Sequence, residues 1–153
     1  MRLLSAGAVL LWLGVMAFFA GIVAPAAFTT LDREAAGRFV SAVFPRYYAF
    51  GAALGGLALA ALLARALLGR GRPGDWLPLL LVVVMLASAL YAWLAVLPAA
   101  HAAREAMRQV SPVGGAVSAE AMAFAQLHRL SGILNGVTML AGVLFLVVLG
   151  VRR

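Results

Sequence analysis

No cysteine occurs anywhere in the chain, and no lysine either. The first absence excludes disulfides, thiolate metal sites and thiol nucleophiles. The second leaves arginine as the sole source of a net charge of +7. Charge of either sign is scarce: 11% of residues are charged, against ~25% in a typical soluble domain. Hydrophobic residues make up 65%, so the polar side chains are too few to cover such a core in water. A Ser-His-Asp set, a phosphate loop and paired carboxylates within apolar segments are all missing, so enzyme chemistry has no visible parts. No cofactor is expected, and the arginines, placed at the edges of apolar runs, suit anionic lipid head groups and not nucleic acid.

What is present is apolar length. Hydrocarbon ~30 Å thick needs ~20 apolar helical residues to cross it. Four charge-free windows serve, at residues 3–28, 47–64, 76–98 and 130–151. The first is too long and too poorly cleavable around Pro25 to be a signal peptide, and reads as a retained helix. Continuous apolar runs favour helices over a barrel. The fold class is therefore all-α, an integral membrane four-helix bundle in one domain, 1–153. Tyr47 and Tyr48, like Trp76, are expected at head-group level.

The connectors differ. Residues 65–75 form a short basic turn with Gly69, Gly71, Pro73 and Gly74. The first connector carries Leu31, Ala35, Phe39 and Val43 at every fourth position, opposite Arg33 and Arg38. It predicts an interfacial helix over about 30–44, started by the Thr29-to-Asp32 capping stretch and stopped by Pro45. The third connector predicts a helix past Pro98 to Val110, a break at Ser111 to Gly115, and a new helix capped by Ser118. Pro25-Ala26-Ala27-Phe28 before Asp32-Arg33-Glu34-Ala35 is echoed by Pro98-Ala99-Ala100-His101 before Arg104-Glu105-Ala106, which suggests two parallel repeated hairpins. Arginines tie at six on each side of the membrane; their density in the short middle turn favours both termini being cytoplasmic, in a bacterial inner membrane.

Three sets of residues are candidates for function. Gly7, Gly14 and Gly21 recur every seven residues, and Gly51 and Gly55 form a G-x-x-x-G; both sets predict close packing of the first helix on the second. His128, Ser131, Asn135 and Thr138 share one face of the last helix. That stripe must turn away from lipid, either to bond other helices, with Ser88 or Tyr91 as partners, or to line a solute or proton path. Asp32, Arg46 and Arg129 suggest a charged rim, in which an inward arginine pairs with Asp32, Glu34 or Glu105. His101 and His128 lie on one side of the membrane, which makes them the candidates for a metal or haem, although neither has a ligand at i+3 or i+4. Met16, Met85 and Met139 read as core filling.

Leu13-Gly14, Phe18-Phe19, the Ala24-to-Phe28 corner, Ala36-Gly37, Phe44-Pro45-Arg46-Tyr47-Tyr48 and Leu127-to-Asn135 together resemble the transmembrane protein 205-like family. Its bacterial members are small four-helix membrane proteins with a domain of unknown function. The resemblance implies a four-helix bundle without an established activity; the link of eukaryotic members to platinum-drug resistance implies export or trafficking. These features lead to a small non-enzymatic transport or scaffold component that works as a homo-oligomer in the lipid bilayer. The alternatives are a haem- or metal-binding redox protein using His101 and His128, and an interfacial lipid-binding protein.

Overall fold

A computed structural model describes residues 1–70, 74–109 and 118–151. It contains four helices long and apolar enough to cross a membrane: α1, Arg2–Thr30; α2, Arg33–Leu67; α3, Trp76–Gln109; and α4, Ala119–Val151. They run alternately up and down. Neighbours pack as α1 on α2, α2 on α3, α3 on α4, and α4 back on α1. Hence α2 and α4 stand at opposite corners. The outer surfaces of the four helices expose Leu10, Ile22, Leu57, Leu94 and Leu140, side chains suited to acyl chains.

The core toward the termini is apolar. Val9, Trp12, Leu13 and Met16 of α1 meet Ala58 and Leu62 of α2, Val82 and Met85 of α3, and Phe145 of α4. Met16 and Met85 are buried core side chains and Met139 packs against them. At 2.5 Å, a Cβ on Gly51 would strike Nε1 of Trp12, and one on Gly55 would lie 2.7 Å from its Cζ3. The G-x-x-x-G of α2 is thus the seat of an indole. By contrast Gly7, Gly14 and Gly21 have nothing within 4 Å of a built Cβ. Helix one does pack on helix two, but through Trp12; the heptad of glycines faces outward. Spacing fixes that three glycines share a face, and the larger Trp12 decides which face turns inward.

Helix boundaries follow local chemistry. Thr29 and Thr30 donate back to the Pro25 and Ala26 carbonyls at the end of α1, so they close one helix and do not open the next. Asp32 opens α2, its Oδ1 accepting from the N–H groups of Glu34 and Ala35, each at 2.9 Å. The other end of α2 closes with Gly69 at φ +66°. There Gly69 N–H bonds the Ala66 carbonyl and Arg70 N–H the Arg65 carbonyl, a pairing that needs the left-handed residue glycine supplies. Arg65 Nε then donates to Asp75 at 3.2 Å and ties the middle turn. Ser118 Oγ caps α4 by accepting from Ala121 N–H. The expected break at Ser111 to Gly115 lies outside the described residues.

The interfacial helix over 30–44 is not a separate element. Pro45 sits inside α2, which runs unbroken through all 35 residues. A proline removes one donor, that to the Ser41 carbonyl, and the helix continues on either side of it. Pro25 and Pro98 act differently. Each follows a five-residue π segment, Phe19–Val23 in α1 and Ala92–Val96 in α3, and each proline stands two residues beyond the segment's end. A π widening relieves the clash between a proline ring and the preceding turn. Equal placement of both defects supports the repeat of the two hairpins. At ~1.5 Å per residue, helices of 33 to 35 residues are ~50 Å long, well beyond the ~30 Å of hydrocarbon. The excess gathers at the connector end.

Candidate functional site

Asn135 is the only asparagine in the chain, and its amide is nearly saturated. Tyr47 of α2 donates its hydroxyl to Asn135 Oδ1 at 2.9 Å. Asn135 Nδ2 donates to the Tyr48 hydroxyl at 3.1 Å and to the Ser131 carbonyl one turn back at 3.0 Å. That carbonyl fixes the amide's orientation, because a flipped amide would set oxygen against oxygen. The Tyr48 and Ser131 hydroxyls, 3.2 Å apart, share a further hydrogen bond between the two helices. Three of the amide's four hydrogen-bonding positions are used, and two of those bonds cross from one corner of the bundle to the other.

The tyrosines are positioned by packing. Phe19, in the π segment of α1, lies 5.4 Å from Phe44 and 5.2 Å from Tyr47, centroid to centroid. Phe44 stacks on Tyr48 at 5.9 Å, and the two tyrosines meet edge to face at 5.1 Å. Tyr48 is only 3% exposed, so it is a bundle residue and not a head-group anchor. Tyr47 is half-buried, again with its hydroxyl turned inward to Asn135. Thr138 is buried and bonds its own helix at the Leu134 carbonyl. No buried side-chain nitrogen or oxygen among the described residues lacks a partner. The partners of the stripe are therefore Tyr47 and Tyr48, in place of Ser88 and Tyr91.

Beyond this layer a second polar set joins α2 to α3. Arg104 Nη1 donates to the Gly37 carbonyl at 2.7 Å and to Ser41 Oγ at 2.9 Å. A Cβ at Gly37 would collide with Nη2 of Arg104, so a larger residue there would require the flexible end of the arginine to shift. Around it a cleft of about 220 Å³ is lined by Arg38, Ser41, His101, Arg104, Glu105 and Arg108. Arg38 pairs with Glu34 at 2.7 Å, and Arg108 reaches Glu34 at 3.4 Å and Glu105 at 3.5 Å.

The charged rim is made of these residues and not of the expected three. Asp32 is occupied as a helix cap, with its carboxyl held below the usual carboxylate range chiefly by the Ala35 N–H. Arg46 folds back onto the Ala42 carbonyl of its own helix at 3.0 Å. Arg129 is exposed, without an ion pair among the described residues. The two histidines occupy different settings: His101 lines the arginine cleft, whereas His128 stacks on Phe124 at 6.2 Å. No group of three or more His, Asp or Glu side chains placed to hold a metal occurs among the described residues. Arg104, Ser41 and Gly37 were not foreseen as partners; the one local signal is Arg104 with Arg108, a turn apart on the polar face of an amphipathic segment.

A family model for a domain of unknown function (DUF4149) matches residues 7–109. That stretch holds the glycines of α1, Pro25 and Pro45, Tyr47 and Tyr48, and the cleft, and stops short of α4. No curated protein and no solved structure matches the chain.

Proposed function

We propose, for a chain that belongs to the DUF4149 family, a domain of unknown function, a non-enzymatic role as a membrane scaffold or transport component built from several copies. The observation that carries this reading is the bonding of Asn135 to Tyr47, Tyr48 and the Ser131 carbonyl. Polar groups in hydrocarbon are commonly adhesive or part of a pathway. Here Ser131 and Asn135 hold α4 against α2, and in this reading a solute path runs between copies. The outward face of α1, with open space at Gly7, Gly14 and Gly21, supports self-association, since small residues let helix backbones approach closely. The resemblance to transmembrane protein 205-like proteins adds export or trafficking as the setting. Both termini are cytoplasmic in this reading, in a bacterial inner membrane. The haem- or metal-binding alternative gains nothing from the geometry of His101 and His128.

Native mass spectrometry of the chain released from lipid nanodiscs tests the reading. Oligomers are expected from the wild type, with Gly14→Leu shifting the population toward monomer while the helical circular dichroism is kept. A wild-type chain that stays monomeric at every membrane density sinks it.

A further inference from the structure

The cleft at the connector end has an imbalance that its own residues do not resolve. Three guanidiniums line it, and the carboxylates of Glu34 and Glu105 are shared between two of them, Arg38 and Arg108. No carboxylate lies within ion-pair distance of Arg104 among the described residues. Its contacts are the neutral oxygens of Gly37 and Ser41. It is also the least exposed of the three arginines. A guanidinium drawn out of water keeps its charge, and neutral acceptors replace only part of the lost hydration. Because Nη1 is anchored and Gly37 gives the group clearance, the rest of the planar fork is held in place for a further acceptor.

Several features define that acceptor. It is an anion, since three guanidiniums stand against two carboxylates and neither carboxylate reaches Arg104. It has several oxygens, since arginine forks favour bidentate pairing with carboxylate or phosphate. Space of about 220 Å³ and two further arginines beside Arg104 exceed what a lone carboxylate needs and suit a tetrahedral phosphate. The cleft also lies where α2 and α3 outrun the hydrocarbon, at the depth of lipid head groups. We propose that this cleft binds a phosphate group, with Arg104 as its fixed contact and Arg38 and Arg108 shared between the anion and their acidic neighbours. The site is independent of whether the chain self-associates.

The test uses the full chain in maltoside micelles, which contain no phosphate, titrated separately with inorganic phosphate and with short-chain phosphatidic acid. Saturable binding of either probe is expected. Binding of the lipid alone identifies a head-group site, and binding of inorganic phosphate identifies a site for a free anion. Arg104→Gln should weaken the bound probe by about tenfold, the loss of one charge-assisted contact. Arg129→Gln, an exposed arginine outside the cleft, should leave it unchanged. Failure of the wild type to bind either probe overturns the proposal. So does unchanged affinity in a folded Arg104→Gln, or equal weakening by Arg129→Gln, which would mark diffuse attraction to a basic surface. Should Arg104→Gln fail to fold, Arg108→Gln takes its place: weaker binding supports the site, and unchanged binding overturns it.

Discussion

The two ends of this bundle are held together by different means. Toward the termini, Trp12 lies in a notch made by Gly51 and Gly55, and Leu13 and Met85 close on Gly142. Contact there is a matter of shape. Toward the connectors, Tyr47, Tyr48, Ser131 and Asn135 bond across the diagonal, and Arg104 bonds α3 to α2. Lipid tails are as apolar as leucine, so burial of leucine supplies little drive to join helices in a bilayer. Close fit has to serve at one end and hydrogen bonds at the other. The fitted end gains density; the bonded end gains a unique register, since Asn135 meets both tyrosines only when α2 and α4 are correctly offset.

The largest effect separating the two ends is expected from a pair of adjacent glycines. Gly55→Ala places a Cβ 2.6 Å from Leu86 Cδ2 and 2.7 Å from the Trp12 ring, whereas Gly56→Ala meets nothing within 4 Å. Both substitutions gain about 1 kcal/mol of helix propensity, so the difference between them isolates packing. Gly55→Ala should be less stable than Gly56→Ala by about 1–3 kcal/mol, the usual cost of overpacking. Unfolding of the two variants in mixed micelles measures it. Equal stability would mean that the indole can move aside and that shape does not define this end.

A smaller effect belongs to the bonded end. Asn135→Leu removes two bonds between helices and one within α4, and leaves the Tyr47 hydroxyl without its acceptor. Interhelical bonds in membranes average about 0.6 kcal/mol each, so the loss should be about 1 kcal/mol. Thr138→Val removes a bond to its own helix only and should change stability less than Asn135→Leu does. If the two variants cost the same, the polar layer is not what registers α2 against α4.

Much of this contrast is legible in the amino-acid sequence. Four apolar runs of spanning length, the cap at Ser118 and the inward direction of Ser131, Asn135 and Thr138 are local properties, set by composition and helical period; His128, at the head of the same stripe, is exposed instead. The partners are not. Tyr47 and Asn135 are 88 residues apart, and Arg104 lies 67 residues from Gly37; no periodicity within one helix states which residue will stand opposite. The glycine heptad of α1 illustrates the same limit, because a shared face carries no label for the neighbour it meets. Pro45 misled for another reason. A proline costs a helix one backbone bond, and whether the helix stops there depends on what the segments on both sides pack against, here Phe19 on Phe44 and Tyr47.

The smallest effect lies at the surface of the bonded end, at Asp32. Its carboxylate is held below the ordinary pKa of 3.8, first by the Ala35 N–H, with the Glu34 N–H and Arg38 also favouring the charged form. A depressed folded pKa means that the carboxylate's extra contribution is complete above the unfolded value and is lost as pH falls through the lower folded one. The first turn of α2 should therefore fray only in strong acid, below pH 3.8, while Tyr47 and Tyr48, deeper in the bundle, hold their positions. Hydrogen exchange at Glu34 and Ala35 measures this, corrected for its intrinsic pH dependence. Protection there should fall with acid in the wild type and stay level in Asp32→Asn, which keeps a capping oxygen but does not titrate. An identical acid profile in the two chains would place the titrating contact elsewhere.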